Sequence, residues 1–226
     1  CDSSGGIGPK PLDKVVVEGK TLGRFIARVA LMEVLAVGAK PLCLVNALSV
    51  EMEPTGMEIL DGIKETARAV KLNLDLALTG SWEKNVPVEQ TGLGVTAIGV
   101  ARENELKIGK SRRGDQVVAI GFPQVGREVL VAEARGEIAD LSDLSTLLCS
   151  SLVHEVIPVG SRGIAYEANV LAKSSNLKVS FVEEAKVDLF RSAGPATVLL
   201  ATIPKSNLGK LSRIIRKPIN IVAQLR

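Results

Sequence analysis

Two features near the start of the chain combine residue types suited to phosphate and metal chemistry. One is a glycine-rich run, CDSSGGIGPKPLD, over residues 1–13; the other is Glu33, an acid inside an otherwise apolar helical pattern. Backbone N–H groups of a glycine-rich turn can face an anion, and this run also carries Asp2, Lys10 and Asp13. The spacing from Thr21 to Gly38 predicts a helix, with Gly-Ala-Lys-Pro as its stop signal. On that helix Glu33 has Val29 and Ala30 one turn behind, Ala36 and Val37 one turn ahead, and Ile26 two turns back. Arg24 and Arg28 lie on another side of the cylinder, Arg28 about 140° away, so neither is a ready partner. A carboxylate on a buried stripe needs compensation, either from a lysine or backbone amides or from a bound metal. Loop and carboxylate together read as a metal and phosphate site with Glu33 and Lys10 at its chemical centre.

Other candidates are scattered further along. Asn46 interrupts the apolar run PLCLVNAL, where it is either hydrogen-bonded in a core or displayed at a strand end. Residues 80–92, GSWEKNVPVEQTG, collect Gly80, Ser81, Glu83, Lys84, Asn85 and the sole tryptophan, Trp82, in one polar loop. In the turn GSRG at 160–163, Arg162 stands at the start of a helical pattern, where it can meet an anion or simply face solvent. The single histidine, His154, lies in the strand-like LVHEVIPV and reads as a hydrogen-bonded structural residue, not a member of a Ser/His/Asp triad.

The elements that must hold these groups alternate. Up to residue 101 the order is strand, helix, strand, helix (from about Pro54, with Ile59, Ile63, Ala67 and Val70 on one face), strand (LDLALTG) and strand (LGVTAIGVA). That is an α+β unit with helices on one sheet face. The charged stretch RENELKIGKSRRGD at 102–115 marks a boundary, which gives domains at 1–104 and 105–226 and makes KSRR a solvated connector. The second half is again α+β. Aromatics are 3% of the chain and the net charge of +3 is dispersed, so nothing supports stacking on single strands or tracking a duplex backbone. No run reaches the roughly 18 apolar residues of a membrane span, and Cys1, Cys43 and Cys149 have no pairing pattern. These features lead to the expectation of a soluble, cytoplasmic protein that does not bind membranes or nucleic acid. Starting at Cys1 inside a functional loop, the sequence also implies a preceding segment.

In their order, GGIGPK, GAKPL, the polar loop after LALTG, GVTAIGV and RRGDQVVAIG resemble the aminoimidazole ribonucleotide synthase superfamily across essentially the whole chain. That group includes thiamine-monophosphate kinase, selenophosphate synthetase and a hydrogenase maturation protein. The resemblance implies a two-domain fold, an N-terminal sheet that forms a homodimer, ATP and Mg2+ as cofactors, and a small-molecule acceptor. GGIGPK resembles the family's DGVGTK loop, so Gly6, Gly8 and Lys10 fall on its glycines and lysine while Gly5 replaces its aspartate, with Asp2 nearby. Glu33 takes the place of an aspartate that takes part in binding Mg-nucleotide, and Asn46 lies where the synthase has an aspartate. The family's GG[EHD]T loop appears as TGSW, with Gly80 in it, Ser81 in the acidic or histidine position and Glu83 two residues on. The resemblance thus assigns metal binding to Asp2, Glu33 and Glu83, phosphate binding to Gly5, Gly6, Gly8 and Lys10, and acceptor contacts to Asn46, Asn85 and Arg162. The loops DSxGxIGxKxxD and TGSxExN look most like the α-ribazole kinase branch.

Overall fold

The computed structural model describes residues 1–226, which divide into two compact units, 1–34 with 39–101 and 35–38 with 102–226. In the first, β1 (Asp2–Gly5), β2 (Ile7–Gly8) and β3 (Val15–Val16) precede the long helix α1 (Gly19–Ala36). There follow β4 (Lys40–Leu48), α2 (Met57–Ala69), a single turn α3 (Leu74–Ala77), β5 (Leu78–Trp82) and β6 (Gly92–Val100). Gly38, at φ 83°, closes α1: its N–H reaches the Leu35 carbonyl and that of Ala39 the Val34 carbonyl. The main sheet runs β1-β6-β4-β5, and β2 pairs with β3 apart from it.

Two local expectations are corrected. Asp2–Gly5, read as loop, is an edge strand antiparallel to β6, so serine and glycine become β through their partner and not through propensity. LDLALTG is strand only in its second half, because the Asn73 side chain accepts the Asp75 N–H at 3.3 Å and caps one helical turn.

One sheet face is covered: Leu44, Asn46 and Leu48 of β4 and Leu93 and Val95 of β6 alternate inward and are buried. The buried side chains of α1 include Phe25, Ile26, Ala30, Leu31 and Met32, and those of α2 include Ile59, Ile63 and Ala67. The two helices touch backbone to backbone. A Cβ on Gly23 would stand 2.0 Å from the Ile59 carbonyl oxygen, and one on Gly62 would stand 2.0 Å from that of Lys20. The Thr66 hydroxyl donates to the Arg24 carbonyl at 3.2 Å across the same contact. Gly62→Ala therefore forces the helices apart and is expected to cost about 3 kcal/mol in urea unfolding; unchanged stability would show that the pair yields without loss.

The second unit contains β7 (Gln116–Ile120), α4 (Glu128–Ala134), α5 (Leu141–Cys149), β8 (Glu155–Pro158) and α6 (Gly163–Ser174). β9 (Val179–Phe181), β10 (Leu199–Ile203), α7 (Leu208–Ile214) and β11 (Ile219–Leu225) complete it. Its sheet is antiparallel in the order β8-β10-β7-β11-β9. Ile164, Ala168, Leu171 and Ala172 of α6 join Val117, Ala119, Leu200 and Val222 in its core. The charged stretch is less free than its composition suggests. Buried Glu155 accepts the N–H groups of Gly109, Lys110 and Ser111 at 3.0–3.1 Å and the Ser111 hydroxyl at 2.7 Å, although Arg112 and Arg113 remain exposed. His154 is structural, its Nδ1 lying 2.7 Å from Asp115 Oδ2. No helix of the chain is long and apolar enough to cross a membrane.

Asp140 caps α5 through the N–H groups of Ser142 and Asp143, while the Asp143 carboxylate accepts the Asp140 N–H in return. Burial, then the Asp140 charge, pushes the Asp143 carboxyl up to about 6, with Lys217 Nζ 3.9 Å away as partial relief. A carboxyl that binds its proton more tightly when folded stabilises fully below the unfolded value of 3.8 and loses that stabilisation as pH rises through about 6. The upper limit of the effect is about 3 kcal/mol. The melting temperature of Asp143→Asn should therefore exceed that of the wild type above pH 7, and the gap should close towards pH 5.

Candidate functional site

The glycine-rich run is held in place by one carboxylate. Asp13 is buried; its Oδ1 accepts the Thr91 N–H at 2.9 Å, and its Oδ2 accepts the Thr91 hydroxyl at 2.7 Å and the Lys10 N–H at 2.8 Å. Leu12 N–H donates to the Glu89 carbonyl, and the Gln90 side chain donates to the Leu12 carbonyl. The turn of residues 9–13 is thus strapped to the chain entering β6. Gly8, at φ 150°, passes so close that a Cβ would lie 2.4 Å from the Thr91 hydroxyl, and only glycine fits. From this turn Lys10 extends to Glu51, with Nζ 2.5 Å from Oε1, and the Thr55 hydroxyl donates to the same oxygen at 2.8 Å. Although burial pushes the Glu51 carboxyl up, the hydrogen bonds from Lys10 and Thr55 hold it below the ordinary range.

The expected phosphate cradle is only partly available. The Gly6 N–H is taken by the Thr91 carbonyl at 2.9 Å, and Gly5 pairs with Gly92 in the β1–β6 ladder. Lys10 and Gly8 remain as the groups that define the turn. Sequence reasoning singled out Asp13 without giving it a role and missed Thr91, Glu51 and Thr55. An acid three residues after a loop lysine was the available signal for the first; nothing in the sequence pointed to a pair separated by 41 residues.

The expectation of a buried Glu33 is overturned: Glu33 is exposed, and Arg28 is the charged residue buried on α1, stacked 4.5 Å from the Phe25 ring centroid. α1 is enclosed on most sides, so apolar neighbours do not identify its covered face; those beside Glu33 include the half-buried Val29 and Val37. The remaining metal candidates do not gather either. Asp2, Val95, Asn46 and Gly80 form one row across the sheet, which puts Asp2 and Gly80 three strand spacings apart, about 14 Å. The Glu83 Oε1 accepts the N–H groups of Lys84, Asn85 and Val86, which hold that carboxyl below its usual value and make it the clasp of its own loop. Burial pushes the Asp2 carboxyl up. No three of the His, Cys, Asp and Glu side chains form a metal-holding group. Asp2, Glu33 and Glu83 are thus not gathered into one metal-holding group.

Asn46 is the core alternative realised: it is buried, its Nδ2 donates to the Thr79 carbonyl at 3.0 Å, and a Cβ on Gly80 would meet its side chain at 2.4 Å. Asn85 and Ser81 are exposed, and Trp82 is 39% exposed with Lys84 Nζ 6.0 Å from its ring centroid. In the second unit Arg162 is exposed at the start of α6, over the Tyr166 ring at 4.6 Å. Four residues beyond the helix start at Gly163, burial pushes the Glu167 carboxyl up, against the Gly160 amide and the Arg162 charge.

Residues 9–101 match the family of AIR synthase related proteins, N-terminal domain. The matched residues make up most of the first unit. No curated protein matches the chain. Among solved structures, HypE from E. coli is 12% identical with a TM-score of 0.71, covering 99% of this chain and 78% of that one. HypE in complex with ATP is also 12% identical, with a TM-score of 0.68 and coverage of 99% and 75%. Thiamine monophosphate kinase from Aquifex aeolicus is 15% identical, with a TM-score of 0.65 and coverage of 92% and 79%. These likenesses establish the AIR synthase-like fold over both units. The Asp13 strap lies wholly within the matched residues, and Asp13→Ala, which orphans two buried donors and a part-buried one, should cost about 3 kcal/mol. Urea unfolding measures it; a cost under about 1 kcal/mol would show that the strap is dispensable.

Proposed function

We propose that this chain binds ATP through the Lys10 turn of its AIR synthase related domain and transfers a phosphoryl group to a small nucleoside-like or heterocyclic acceptor. The observation that carries the reading is the turn itself: a lysine on a backbone that Asp13 and Thr91 immobilise, in a fold whose relatives include an ATP complex and a kinase. Lys10 neutralises the charge of the phosphate oxygens, and Gly8 allows close backbone approach. The acceptor hydroxyl attacks the terminal phosphorus, its proton leaves to solvent, and ADP departs. Asn85 is the exposed polar group of the first unit proposed to contact the acceptor, and α-ribazole is the first acceptor to screen. Asn46, inside the sheet, is removed from that role. The reading has the protein working in the cytoplasm as a homodimer. Association through the open sheet face is supported by Ser3, Val45, Ala47, Thr79, Gly94, Thr96 and Ile98, none of them charged.

A second reading is a non-catalytic nucleotide binder, favoured by Gly5 and Ser81 at acidic positions of the family pattern and by carboxylates that form no metal group. A synthase that activates its substrate as an acyl phosphate uses the same nucleotide site. A thermal-shift titration with ATP, with and without Mg2+, tests the shared element. ATP at 100 times its dissociation constant should stabilise the wild type by roughly 2.7 kcal/mol and leave Lys10→Ala unmoved. Absence of any wild-type shift overturns nucleotide binding. A shift that Glu33→Ala retains in full excludes Glu33 from the site. ATP turnover with an acceptor then separates the enzyme from the binder.

A further inference from the structure

We infer that Glu51 is a positioning residue for Lys10 and acts as the countercharge that an incoming polyphosphate displaces; the inference rests on the nucleotide-binding reading above. Lys10 and Glu51 come from different segments, the turn after β2 and the chain after β4, yet Nζ and Oε1 stand 2.5 Å apart. The lysine side chain is only 16% exposed, so without Glu51 its ammonium would be poorly hydrated and free to turn away. The Glu51 side chain is 34% exposed, which leaves one side of the pair open to solvent.

Two contacts hold Glu51, one at its carboxylate and one at its main chain, whether or not the lysine is bonded to it. The Thr55 hydroxyl donates to the same Oε1 at 2.8 Å, and the Gly56 N–H donates to the Glu51 carbonyl at 3.0 Å. Thr55 is itself buried, so that hydroxyl is not a mobile surface donor. The arrangement differs from a surface ion pair between two long, mobile side chains, because both ends are anchored: Lys10 through its N–H on Asp13, Glu51 through Thr55 and Gly56. The pair holds the ammonium aimed and charged before an anion arrives. It also sets a threshold, since a phosphate oxygen must replace the carboxylate as the lysine's partner. Glu51 therefore trades affinity for a preset lysine geometry.

The test uses Glu51→Gln, which keeps the size and an acceptor oxygen for Lys10 and Thr55 while removing the charge. Calorimetry with ATP and, separately, with inorganic triphosphate reads the result on wild type, Glu51→Gln, Lys10→Met and the double variant. Glu51→Gln is expected to bind both probes about fivefold tighter, the size of one lost, partly exposed ion pair. In the Lys10→Met background the Glu51 substitution should change nothing, because its effect runs through the lysine. If the wild type binds ATP but Glu51→Gln binds with equal or lower affinity, the inference fails and the function stands. If the tightening persists without the lysine, Glu51 acts by general repulsion and the positioning role falls. If the wild type binds neither probe, the inference and the functional reading fall together. Thr55→Val, with the charge retained, is the second variant. It should lower the pair's coupling energy with Lys10, and a coupling equal to that of wild type overturns the anchoring.

Discussion

A single buried carboxylate organises the part of the molecule where chemistry is proposed. Asp13 satisfies two backbone N–H groups and a hydroxyl, and by doing so ties the glycine-rich turn to the start of β6. Everything that makes the turn useful follows from that tie. Gly8 must be glycine because Thr91 is drawn so close, and Lys10 leaves the turn in a direction set by its own N–H on Asp13. A buried acid that accepts only from fixed donors is compensated without a counter-ion, so the nearby lysine is left to pair with something else.

The second unit uses the same device. Glu155, on β8, gathers three consecutive N–H groups of the segment 109–111, a stretch whose charge and glycine content would otherwise leave it loose. In both places an irregular segment with few apolar side chains is ordered by an acid on, or strapped to, a regular element. Irregular backbone cannot supply its own hydrogen-bond partners as a helix or ladder does, and a carboxylate with two oxygens can meet several N–H groups at once.

Much of the architecture was legible. The strand over PLCLVNAL, the stop signal at Gly38 and the spacing of Ile59, Ile63 and Ala67 each reflect local geometry, and each is realised. The structural reading of His154 also held, since a lone histidine beside an apolar strand needs an internal partner and Asp115 supplies it. The reading of Glu33 failed for a physical reason. Periodicity identifies a covered face only when a helix has one, and α1 is enclosed on most sides, down to the buried Arg28. The strand at Asp2–Gly5 was hidden because its residues have little β preference and depend on β6 for their pairing.

The amino-acid sequence by itself determined the local periods, the turn glycines, the lysine in its loop and the order of motifs that distinguishes this fold, because these depend on neighbours a few residues apart. Only the tertiary structure decided which acids do structural work. Asp13 meets Thr91 and Lys10 meets Glu51 across 78 and 41 residues, and Glu83 spends its oxygen on its own loop. Such partnerships depend on how strands and turns come together in space, and a carboxylate's role is set by the donors that reach it.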